Sequence, residues 1–61
     1  MTTNEQREVL LNFERELGLG PVAAARKLDT PYATYKDWRS GRYKMPGVAY
    51  NAINLWLAIE E

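Results

Sequence analysis

Cysteine and histidine are both missing from the 61 residues of this chain. Their absence excludes a disulfide framework, a Cys/His zinc site, and a thiol or imidazole for nucleophilic or acid–base chemistry. The sequence also lacks a glycine-rich phosphate loop and a pair of carboxylates spaced for a pocket, so neither an enzyme nor a cofactor or metal is expected. No apolar run approaches the roughly 18 residues needed to span a bilayer. The opening Met1-Thr2-Thr3-Asn4-Glu5 carries neither the basic nor the apolar region of a signal peptide. The expectation is a soluble, cytoplasmic protein with no membrane partner and no small-molecule ligand. Length is short as well: a chain of about 60 residues buries only about 60% of the surface its unfolded form exposes. Without disulfide or metal, helix packing or self-association must stabilise it, and a homodimer is expected.

Net charge is also absent, with eight basic and eight acidic residues, although phosphate neutralisation supplies much of the affinity for nucleic acid. The charges are unevenly placed. Residues 1–19 carry −2 and the tail Glu60-Glu61 another −2, while residues 20–44 carry +4 through Arg26, Lys27, Lys36, Arg39, Arg42 and Lys44 against Asp29 and Asp37. A basic middle is bracketed by acidic ends, a distribution that accommodates a polyanion.

What is present is helical periodicity over a single domain, residues 1–61, with no internal repeat and no strand pattern. Thr3-x-x-Gln6 has capping-box spacing, and Val9, Leu10, Phe13 and Leu17 recur at helical intervals up to Gly18, which suits a left-handed stop. Gly20-Pro21 restarts a helix with the apolar stripe Val22, Ala24, Ala25 and Leu28. Asp29-Thr30 breaks it, Asp tolerating a left-handed turn, Thr30 standing as a cap and Pro31 as a first helical residue. A third helix runs to Ser40 and closes at Gly41. After Arg42-Tyr43-Lys44 and Met45-Pro46-Gly47 comes a last helix, with Val48, Ala52, Leu55 and Ile59 at 3–4 spacing to complete the core. The fold class is therefore all-α, a small bundle of four helices with a fifth left open.

Two short helices joined by a tight turn, here residues 21–41, form the pattern of a helix-turn-helix, whose second helix enters the major groove of DNA. Ala25 sits where the two helices approach closely and Leu28 closes that contact. Tyr35 and Trp38 point inward from the third helix and serve to aim it. At about 100° per residue this turns Lys36 and Ser40 outward, flanked by Tyr32, Ala33 and Asp37. These five are the candidate base-contacting residues: Lys36 as donor to guanine, Ala33 against a thymine methyl, Tyr32 against a thymine methyl or bonded to a phosphate, and Asp37 accepting from cytosine or else pairing with Lys36 or Arg39 or orienting Arg42. Arg39, Arg42, Tyr43 and Lys44 suit phosphate clamping, and the free amides around Val22 at the start of the second helix are a further phosphate contact.

The stretch Pro21 to Gly41 resembles the helix-turn-helix of the lambda-repressor and Cro-like superfamily. The resemblance rests on Ala25, Leu28, Tyr35, Trp38 and the ending Asp37-Trp38-Arg39-Ser40-Gly41-Arg42. The run Trp38 to Pro46, Trp-x-x-Gly-Arg-x-x-x-Pro, is similar to the segment that follows the recognition helix in many small phage proteins. Two positions depart from the family pattern: Pro21 stands where glutamine is common, and Asp29 where the turn is usually glycine. The resemblance implies a phage-type transcriptional regulator, a Cro-like repressor, that reads double-stranded DNA at an inverted repeat with recognition helix 31–40.

The last helix has more apolar surface than one face needs. With Val48, Ala52, Leu55 and Ile59 in the core, Tyr50, Ile53, Trp56 and Leu57 lie toward other sides, where they either cover the first helix or form a two-fold dimer interface. A second function class stays open on the same residues. Zero net charge, Asp37 on the reading face and an apolar last helix also fit a helix-turn-helix scaffold that binds a host protein.

Overall fold

The computed structural model describes residues 2–60, with side chains to residue 59; Met1, Glu61 and the Glu60 side chain, and with them the acidic tail's charges, lie outside what is described below. Helix α1, Thr3–Leu17, starts from a reciprocal cap one residue earlier than the sequence spacing predicts. The Thr2 hydroxyl accepts from the Glu5 N–H at 3.1 Å while the Glu5 carboxylate accepts from the Thr2 N–H at 3.3 Å. A carboxylate in the first turn also suits the positive end of the helix dipole. Gln6 is thereby released from capping, and it is buried.

Helices α2, Pro21–Lys27, and α3, Tyr32–Ser40, follow, and α4, Gly47–Glu60, ends the chain; no strand occurs among the described residues. The first three helices stop in the same way. After α1 the Leu19 N–H donates to Glu14 and Gly18 to Arg15; after α2 Thr30 donates to Ala25 and Asp29 to Arg26; after α3 Arg42 donates to Asp37 and Gly41 to Trp38. Each pair is the six-to-one and five-to-two pattern that consumes the last carbonyls of a helix, with the pivot residue left-handed. Gly18 and Gly41 hold that position at φ 65° and 84°, and Asp29 holds it at φ 53°. The expectation of stops at Gly18, Asp29 and Gly41 is met. Thr30, however, caps nothing: its hydroxyl donates to the Leu28 carbonyl at 3.0 Å, and α3 begins after Pro31 with no side-chain cap.

Helix α1 packs against each of the other three, α2 packs also on α3, and α4 meets only α1 at the level of the helix backbones. The core is Leu10 and Phe13 of α1, Ala24 and Ala25 of α2, Tyr35 and Trp38 of α3, and Ala49 and Ile53 of α4. The two alanines allow α2 to lie close on its neighbours, as a stripe of small side chains must.

The inward face of α4 differs from the expected one. Val48, Leu55 and Ile59 are 81%, 66% and 69% exposed, whereas Ile53 is fully buried and Trp56 and Leu57 pack on the core. The two stripes are offset by one residue, about 100° around the helix, and both are apolar. Ala49 and Ile53, a small residue followed by a branched one, fit the close approach to α1 where Val48 and Ala52 were expected. Ile53, Trp56 and Leu57 therefore belong to the protomer's own packing, which removes Ile53 as an interface residue and leaves Trp56 and Leu57 little free surface. Trp56 is further covered by Lys27, whose Nζ lies 4.3 Å from its ring centroid. Tyr50 is half-buried beside the loop that follows α3. No helix among the described residues is long and apolar enough to cross a membrane.

Candidate functional site

The exposed face of α3 is set by what its other face does. Tyr35 and Trp38 are buried as expected, and Tyr32, Ala33, Lys36 and Ser40 are exposed. Asp37 is half-buried, and its backbone carbonyl accepts from the Ser40 hydroxyl at 3.1 Å and from the Arg42 N–H at 3.0 Å. Val22 is exposed at the start of α2, which has no side-chain cap. Arg42, Tyr43 and Lys44 are exposed in the loop beyond α3, with the Arg42 guanidinium 5.5 Å from the Tyr43 ring centroid.

Two polar residues of α1, neither singled out in the sequence, hold this surface in place. The buried Gln6 amide donates to the carbonyls of Trp38 at 2.9 Å and Tyr43 at 2.8 Å, and its oxygen accepts from the Met45 N–H at 2.6 Å. One side chain thus fixes both ends of the loop bearing Arg42, Tyr43 and Lys44. Near the far end of α1, the buried Glu14 carboxylate accepts from the Tyr35 hydroxyl at 2.6 Å and from Arg39 Nε and Nη2 at 2.8 and 3.1 Å. Burial, then the bond to the Glu14 carboxylate, pushes the Tyr35 phenol far above its ordinary range, so it stays a neutral donor. The hydrogen bond to Glu14 likewise holds the Arg39 guanidinium charged against the opposing effect of desolvation.

Arg39 is therefore only in part the free phosphate clamp that its sequence position suggests. Its Nε–Nη2 edge is bound by Glu14, and its side chain is 36% exposed. That pair is the one salt bridge among the described residues, so Lys36, Arg42 and Lys44 carry their charges unpaired there. The signal for Gln6 and Glu14 was present in the spacing: Gln6, Leu10, Phe13 and Glu14 fall on one helical stripe, a polar residue at each end of an apolar pair.

Arg7, also unremarked in the sequence, joins Tyr32, Lys36, Arg39 and Ser40 around a cavity of about 280 Å³ between α1 and α3. A second cavity of about 270 Å³ is lined by Gln6, Lys44, Met45, Gly47 and Tyr50. No group of three acidic, imidazole or thiol side chains that could hold a metal converges among the described residues. Compared with family profiles, curated proteins and solved structures, the chain gives no significant match.

Proposed function

We propose that this chain binds double-stranded DNA as a helix-turn-helix regulator of the phage repressor type, with α3 in the major groove. The observation that carries the reading is the α3 surface itself: Tyr32, Ala33, Lys36 and Ser40 exposed on a helix anchored by buried Tyr35 and Trp38, with exposed Arg42 and Lys44 just beyond it. Donors, an apolar methyl and a phenol are the groups that read base edges, and unpaired cations at the helix end are those that hold phosphates. Lys36 and Tyr32 are assigned to base reading, with Ala33, Asp37 and Ser40 beside them; Arg42, Tyr43 and Lys44 are assigned to the backbone.

Reading an inverted repeat requires two copies. The exposed stripe Val48, Leu55 and Ile59, with half-buried Ala52, recurs at spacings of four, three and four residues. That is the seam spacing of two paired helices and supports a homodimer through α4. A protein-binding role on the same scaffold is favoured by that stripe together with the zero net charge.

Selection from a random duplex pool, followed by titration at several salt concentrations, tests the proposal. Lys36→Ala is expected to relax preference at particular base positions. Arg42→Ala is expected to weaken all sequences alike and to lower the salt slope by about one. A wild-type protein that ignores random duplex even at low salt would leave the protein-binding reading in its place.

A further inference from the structure

We propose that the cavity between α1 and α3 is a receptor for one phosphate group, supplied by the DNA backbone, with Arg7 as its principal cation. This rests on the reading of α3 as the DNA-facing helix. Tyr32, Lys36 and Ser40 are spaced by four residues along α3 and form one wall, and Arg7 closes the opposite side from α1. The order of contacts fixes that arrangement: Gln6 meets Trp38 and Tyr43, Glu14 meets Tyr35 and Arg39, so the start of α1 lies beside the end of α3. Arg7, one position past Gln6, is carried to the rim of the recognition surface.

Three cations line the space and no acidic side chain does. Among the described residues, the only carboxylate paired with any of them is Glu14, which is buried and already accepts from Tyr35 and Arg39. The cluster of Arg7, Lys36, Arg39 and Glu14 therefore keeps two positive charges. Glu14 also orients Arg39, leaving Nη1 as the nitrogen with no hydrogen bond among the described residues. Ser40 has given its hydroxyl hydrogen to the Asp37 carbonyl, so the donors left for a phosphate are Arg7 and Arg39 Nη1, while Lys36 and Tyr32, the residues assigned to base reading, contribute charge and wall beside them. Donors arriving from two helices can reach the two non-bridging oxygens of a backbone phosphodiester, which diverge from a tetrahedral phosphorus, from different sides. Arg7, Tyr32, Lys36 and Ser40 around it are all exposed, which admits a phosphate that remains part of a chain.

Arg7→Gln tests this, with Arg15→Gln as the control. Arg15 lies on the same helix, is exposed, and bonds only Asn12 among the described residues; it removes the same charge away from the cavity. In salt-dependent titrations of duplex DNA, Arg7→Gln is expected to weaken binding roughly fivefold to tenfold and to lower the salt slope by about one, with base preference unchanged. Arg15→Gln should do neither. In parallel, inorganic phosphate is titrated into labelled protein, and the amide shifts of residues 7, 32, 36 and 40 are followed. If duplex binds and Arg7→Gln behaves like Arg15→Gln, the phosphate receptor is overturned and the DNA reading stands. If duplex does not bind but phosphate shifts those amides in the wild type and not in Arg7→Gln, the receptor stands with free phosphate as its source, and the DNA reading falls. Silence from both probes overturns both.

Discussion

Gln6 and Tyr35 show how single side chains govern the candidate surface. Gln6 bonds three backbone groups, at 2.9, 2.8 and 2.6 Å, from a buried position, so an apolar replacement of similar volume strips the part-buried Met45 N–H and Tyr43 carbonyl of these partners, while the Trp38 carbonyl keeps the Gly41 N–H. Each such group costs about 1–3 kcal/mol. Gln6→Met is expected to lower stability by about 2 kcal/mol, or roughly 8–16 °C in the melting temperature of so small a domain. The Met45 amide should lose its protection from hydrogen exchange in the same variant. Tyr35 makes a prediction in pH. Its folded pKa lies above the unfolded value of 10.0, so its contribution is fully present below about pH 10 and is lost as pH rises beyond it. Denaturant midpoints should fall above pH 10, and Tyr35→Phe should flatten that decline. An aromatic at position 35 was legible as core from helical spacing. That its hydroxyl would find a carboxylate twenty-one residues away was not, because local periodicity carries no information on which long-range partner a buried polar tip meets.

The helix ends are the best-specified elements and α4 the least. Glycine at residues 18 and 41 costs little in the left-handed region, whereas Asp29 at φ 53° bears a steric penalty. Asp29→Gly is therefore expected to stabilise the protein by about 0.5–1 kcal/mol, a rise of several degrees in thermal melts, with α2 and α3 unchanged in length. Gly41 has a second constraint, since a Cβ there would stand 3.3 Å from the Thr3 Cβ. These stops could be read from sequence because they depend on the backbone freedom of one residue. The inward face of α4 could not, because two adjacent apolar stripes give no contrast for a periodicity argument to use.

At the scale of the whole molecule, α1 is the hub, and α4 packs on it alone at the level of the helix backbones, with Lys27 of α2 reaching Trp56, leaving the outer stripe of α4 available to a second copy. The two faces of that helix should respond oppositely to substitution. Leu55→Lys, at a position 66% exposed, is expected to leave the stability of the monomer within about half a kcal/mol of wild type. In sedimentation measurements it should abolish self-association at concentrations where the wild type is dimeric. Ile53→Ala, at a fully buried position, should instead cost about 2–5 kcal/mol and unfold much of the protein. If Leu55→Lys sediments as the wild type does, the proposed dimer through α4 is overturned.

The sequence by itself determined the four helices, their three left-handed stops and the inward aim of Tyr35 and Trp38, and hence the outward turn of Lys36 and its neighbours. These follow from helical geometry and backbone sterics, which act within a few residues. Only the tertiary structure decided that Glu14 takes one edge of Arg39, that Gln6 fixes the basic loop, that Arg7 reaches the rim of α3, and that Ile53 rather than Leu55 faces α1. Each of those depends on which surfaces meet, and that is settled by shape, burial and the partnering of polar groups across the whole core.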